Sequence, residues 1–137
     1  MSGARLLAAV LLLGACARGR ATADAAPPGG PALAGMSPDT VPIAQLAVPT
    51  LTLRGTGFVP GGTEGFADGG NTVHVGTRRF DRVAADAEGR TIRLAVPLEA
   101  PDTLSRGQPR RLGPGRYPVS VSTPVGTSNV LWLTFVR

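Results

Sequence analysis

Residues 50–58 read Thr50-Leu51-Thr52-Leu53-Arg54-Gly55-Thr56-Gly57-Phe58, an alternation of polar and apolar side chains that runs into a glycine-flanked turn. Successive side chains of a strand point to opposite faces, so Leu51 and Leu53 share one face while Thr50, Thr52 and Arg54 share the other. The two glycines permit backbone angles closed to other residues, which lets the chain leave the strand and fold Phe58 back as a plug for the core. The same period recurs along the chain. Val73 and Val75 alternate with Thr72, His74 and Gly76, and Ile92, Leu94 and Val96 alternate with Thr91, Arg93 and Ala95. Tyr117, Val119 and Val121 alternate with Pro118, Ser120 and Ser122, and Leu131, Leu133 and Phe135 alternate with Val130, Trp132 and Thr134. Each strand carries one apolar face, and a single half-apolar sheet would leave that face wet, so two sheets packed face to face are expected.

Composition agrees. Among 137 residues, 19 glycines and 13 prolines disfavour long helices and favour short strands joined by turns. The length holds one domain and not two. Net charge is +5, every basic residue is arginine, and only 17% of residues are charged, so this is not a highly charged disordered chain. One cysteine and one histidine exclude an internal disulfide and a closed site of soft metal ligands, and no metal or cofactor is expected.

An ordered set of short motifs, found at 31–38, 51–58, 71–76, 92–97, 115–121 and 126–129, resembles IPT/TIG domains. The set comprises Pro31-Ala-Leu-Ala-Gly-Met-Ser-Pro38, Leu51-Thr-Leu-Arg-Gly-Thr-Gly-Phe58, Asn71-Thr-Val-His-Val-Gly76, Ile92-Arg-Leu-Ala-Val-Pro97, Gly115-Arg-Tyr-Pro-Val-Ser-Val121 and Gly126-Thr-Ser-Asn129. The resemblance covers nearly all of 31–137 and implies an all-β, immunoglobulin-like β-sandwich. Pro97 lacks an amide donor and closes its strand. Gly126 with Ser128 and Asn129 marks a reversal in which side chains bond nearby backbone. The connections at 59–70 and 98–114 are longer than in compact members of the family, and an individual function has room there.

Ahead of the domain, Arg5 precedes the apolar run 6–13, which ends in Leu13-Gly14-Ala15-Cys16. Eight helical residues span about 12 Å, short of a hydrocarbon layer about 30 Å thick, so the run does not cross a membrane. It reads as a signal-peptide core. The sequence at its end resembles the lipobox of bacterial lipoproteins, which implies cleavage after residue 15, lipid modification of Cys16 and a membrane partner reached through that anchor. Ala17 in place of aspartate implies, by resemblance to envelope sorting rules, the outer membrane where the organism has one. Residues 16–30 lack apolar periodicity and include Pro27-Pro28-Gly29-Gly30, a flexible linker. The expected division is therefore 1–15 signal peptide, 16–30 lipidated linker and 31–137 domain.

Chemistry is sparse. His74 lies mid-strand with no surrounding motif, and it reads as an exposed polar residue of an alternating strand rather than as a catalytic base. The glycine pairs are not followed by a lysine and a helix, so no phosphate loop is read. Oxygen ligands at Glu64, Asp68 and Asn71 lack calcium-loop spacing. Two surfaces remain. Alternation and an immunoglobulin-like strand order place Trp132, His74, Ser120, Thr72 and Thr134 on one exposed face, where an aromatic ring among polar groups suits a protein or sugar contact; cover by the linker, a loop or an arginine stem is the plain alternative. Arg78, Arg79 and Arg82 in one connection, with Arg106, Arg110, Arg111 and Arg116 in another, form a candidate basic surface for anionic polymers or head groups, or serve solubility alone. DNA is excluded by export. The expectation is a non-enzymatic envelope lipoprotein that binds an envelope protein, or alternatively a surface polysaccharide.

Overall fold

The alternating segments pair because each has an apolar face to bury and a backbone ladder to complete. The computed structural model describes residues 29–45, 47–66, 68–101 and 109–137. Cys16, the segment 1–28 and Arg106 lie outside the described residues. Eleven strands follow in order: β1 Ala32–Ser37, β2 Thr40–Pro42, β3 Thr50–Thr56, β4 Asn71–Val75, β5 Arg78–Val83, β6 Thr91–Ala95, β7 Glu99–Pro101, β8 Pro109–Arg111, β9 Gly115–Thr123, β10 Gly126–Thr127 and β11 Leu131–Val136. No helix occurs among the described residues. The described domain is all-β.

One sheet has the order β1-β3-β6, the other β2-β11-β9-β4-β5 with β10 paired to β9, and β7 and β8 form a separate two-stranded piece. Leu51, Leu53, Ile92 and Leu94 from the first sheet share one buried cluster with Val73, Val75, Val119, Val121, Leu133 and Phe135 from the second. A core drawn from both sheets is consistent with a β-sandwich. Full burial of one such Leu, Val or Phe side chain contributes about 1.5–3 kcal/mol.

The five alternating segments of the sequence are β3, β4, β6, β9 and β11, and Phe58 is buried in the core as its turn implied. Gly55 is small because β1 crosses it: a Cβ there would stand 1.9 Å from the carbonyl oxygen of Ala32. Gly57 has φ +74°, which favours glycine, and it faces Gly30 and Pro31 where the chain enters the domain.

Polar side chains tie this end together. Asn71 is fully buried, accepts from the Val59 amide at 2.8 Å and donates to the carbonyls of Val59 and Val83, each at 2.8 Å. Its amide is thereby committed to the fold and is not free as an oxygen ligand. The 59–70 connection is thus pinned at its first residue. At the 126–129 reversal Ser128 bonds nearby backbone as the motif implied, its Oγ accepting from the Val121 amide at 2.9 Å and donating to the Asn129 carbonyl at 2.7 Å, whereas Asn129 does not. It accepts from the Leu33 amide at 2.8 Å and donates to the Leu33 carbonyl at 3.0 Å, joining the entry to β11 with β1 of the other sheet.

The 78–83 segment, expected as a connection, is strand β5. Arg78 and Phe80 face inward and Arg79 and Asp81 outward, until Arg82, with φ 57°, and a shifted register interrupt the alternation. The 98–114 connection contains β7 and β8, antiparallel, with Glu99 opposite Arg111.

Candidate functional site

The register across β4, β9 and β11 assembles the outer face of the larger sheet. His74 stands opposite Ser120, Thr72 opposite Ser122, Trp132 opposite Pro118 and Thr134 opposite Arg116. Their chain neighbours Val73, Val75, Val119, Val121, Leu133 and Phe135 fill the core, so strand parity forces the polar set outward. Thr72, His74, Ser120 and Thr134 are half-buried, and Trp132 is 49% exposed. The guanidinium carbon of Arg116 lies 4.9 Å from the Trp132 ring centroid. At an exposed site such a cation–π contact contributes about 0.5–1 kcal/mol and braces the ring. The tryptophan expected to face outward therefore does, and the arginine stem named as its plain alternative cover is present as a partial one.

A serine, a histidine and an aspartate come near one another on this face. Ser122 Oγ is 3.4 Å from His74 Nε2 and 2.9 Å from Thr127 Oγ1. Asp81, on the neighbouring strand, accepts from Arg79 Nε at 2.7 Å and from Thr72 Oγ1 at 3.0 Å. The Arg79 bond is the main reason its carboxyl titrates below the usual carboxylate range; the Thr72 bond, the Arg79 charge and the His74 charge add to the effect, and desolvation opposes it. A nucleophile–base pair needs a third group orienting the imidazole, but both bonds to Asp81 fall on its Oδ1, and among the described residues no hydrogen bond joins Asp81 to His74. The serine contact is also long for an O–H donor. This geometry makes polar contacts; it does not assemble a relay.

The arginines do not form one surface. Arg78 is a correction: it is 2% exposed, a core residue and no part of a basic surface. Its Nη2 donates to the Leu98 carbonyl at 2.9 Å, and its guanidinium also reaches the carbonyls of Pro97 and Arg110. Burying a guanidinium is costly unless it is well bonded, and carbonyls at the ends of two segments supply those bonds here. Arg79 pairs with Asp81 at 2.7 Å and Arg82 with Asp68 at 3.7 Å, so the β5 edge is largely neutralised. Arg110 and Arg111 are exposed on β8, with Arg111 3.9 Å from Glu99.

Two contributors to these sites escaped the sequence. Arg116 was placed with the connection arginines, and its position over Trp132 follows only from the β9–β11 register. The burial of Arg78 had a faint signal, since residues 78 and 80 share parity and Phe80 is apolar.

No family model matches the chain, and no curated protein or solved structure is significantly similar to it.

Proposed function

We propose that this protein is a non-enzymatic envelope lipoprotein whose domain is an immunoglobulin-like sandwich of the IPT/TIG type and serves as a protein-interaction module. The strand order supports the fold type. β1, β3 and β6 stand as strands A, B and E of an immunoglobulin sandwich stand, and β4, β9 and β11 as C, F and G. The observation that carries the function is the chain's single tryptophan, 49% exposed on β11 and braced by Arg116 of the neighbouring strand. Tryptophan and arginine are the residues most enriched where binding energy concentrates, and a preorganised ring loses little entropy when a partner covers it. The lipobox-like Leu13-Gly14-Ala15-Cys16 supports membrane mooring, since several acyl chains at about 0.8 kcal/mol per buried methylene hold a protein almost irreversibly.

Two measurements on the full chain in its native cells test this reading. Mass spectrometry is expected to find a mature chain beginning at an acylated Cys16, and Cys16→Ser is expected to release the protein from membranes. A protein that co-purifies with the wild type is expected to be lost with Trp132→Ala while the β circular-dichroism spectrum is kept. An intact Met1 with a free thiol contradicts the mooring, and an undiminished partner contradicts the face.

A further inference from the structure

A cleft of about 660 Å³ opens at the end of the domain opposite the chain entry, between the β4–β5 turn and the 110–113 segment, with Tyr117 and Pro118 in its lining. The two ends are separated by the length of β4, about 16 Å for five residues. Such a volume falls in the range of clefts that take small molecules or short polymer segments.

The lining is rigid. Tyr117 packs edge-on against Phe135, with ring centroids 5.5 Å apart, and its hydroxyl donates to the Gly113 carbonyl at 3.0 Å. Gly76, with φ +60°, lies against that ring, and a Cβ there would come within 2.9 Å of Tyr117 Cδ1. The opposite wall is fixed from inside, because the buried Arg78 guanidinium holds the Arg110 carbonyl. Three arginines, Arg78, Arg110 and Arg111, line the cleft together with no acidic residue. The nearest carboxylate paired with them is Glu99, 3.9 Å from Arg111, with both side chains well over half exposed. A pair so open to water is weak and exchanges easily for another carboxylate.

We infer that this cleft is a binding site for an acidic glycan, with sugar rings against Tyr117 and their carboxylates on Arg110 and Arg111. A uronate-type sugar carries a planar carboxylate, which a guanidinium fork grips through two hydrogen bonds, and a CH-rich ring face, which packs on flat side chains. Both lie on one rigid ring, matching a lining that sets cations beside an aromatic floor. An acidic peptide has its carboxylates on flexible stems and offers no such ring. This site goes beyond the Trp132 face and stands or falls separately from it.

The test is retention of the full-length chain in gels containing polygalacturonate, its fully methyl-esterified form, or polyglutamate, at about 150 mM salt, where long-range surface attraction is largely screened. Retention by polygalacturonate and not by the ester is expected. Arg110→Gln with Arg111→Gln is expected to weaken retention roughly tenfold or more, in line with the loss of charge-assisted hydrogen bonds. Main-chain carbonyls survive that change, so the Arg78 contact is kept, and circular dichroism checks the fold. The charge-matched pair Arg54→Gln with Arg93→Gln, exposed on the other sheet, is expected to bind as wild type. No retention, equal retention of the ester, equal loss in the charge-matched pair, or stronger retention by polyglutamate would each overturn the proposal.

Discussion

The two ends of the domain are held together by opposite chemistry. At the chain-entry end, Asn71 and Asn129 are neutral amides that accept and donate at once, so each stitches to both an amide and a carbonyl of the segment it meets. At the far end Arg78 only donates, so it gathers carbonyls alone, those of Pro97, Leu98 and Arg110. A neutral amide leaves its end without added charge. The guanidinium brings a positive charge into the interior of the other end, beside the cleft that carries Arg110 and Arg111. One end is built to close and the other to attract anions.

The largest effect is expected from closing the entry end wrongly. Gly55→Ala places a methyl 1.9 Å from the Ala32 carbonyl oxygen, so β1 must move off β3. A loss of about 4 kcal/mol or more is expected, read from the urea midpoint; a wild-type midpoint would show that β1 does not pack there. Next comes the far end. Arg78→Met keeps bulk but strands carbonyls that a charged donor had satisfied, and a loss of about 3 kcal/mol is expected. Asn71→Ala at the entry end breaks three bonds at one amide and should cost about 2 kcal/mol or more. Should Asn71→Ala prove harmless while Arg78→Met unfolds the chain, the entry end would not depend on its amide clamp.

Acid provides a gentler contrast. Asp86 accepts from the amides of Arg90 and Thr91 in the turn beside Gly89, and the Arg90 bond is the main cause holding its carboxyl below the usual range. A carboxyl depressed in the folded state adds stability above its unfolded pKa, about 3.9, and that stability is lost as pH falls through the lower folded value. Asp81, depressed mainly by Arg79, acts in the same direction. Midpoints measured from about pH 5 to pH 2 should decline for wild type and decline less for Asp86→Asn; identical slopes would remove Asp86 from the account.

These contrasts also show what a linear reading of the chain reaches. Period-two alternation was enough for β3, β4, β6, β9 and β11, because each buries a continuous apolar row, and the glycine turn was enough for Phe58. The same parity put Thr72, His74, Ser120, Trp132 and Thr134 on one face. β5 stayed hidden because an arginine occupies its first inward position and Arg82 breaks the alternation. The short β2, β7, β8 and β10 offer too few residues for any period to register. The Asn129–Leu33 pair spans 96 positions, and Arg78 finds its carbonyls 19, 20 and 32 positions away, so local pattern holds no trace of either.

The central claim is that the Trp132 face is open in the isolated protein and covered in its working assembly. Hydroxyl-radical footprinting, with mass spectrometry of the tryptic peptides, compares the full chain in intact cells with the same chain purified. Trp132 should oxidise readily when purified and be protected in cells, while Phe66, exposed on the 59–70 connection, is modified alike in both. Equal oxidation of Trp132 in the two states would contradict the account.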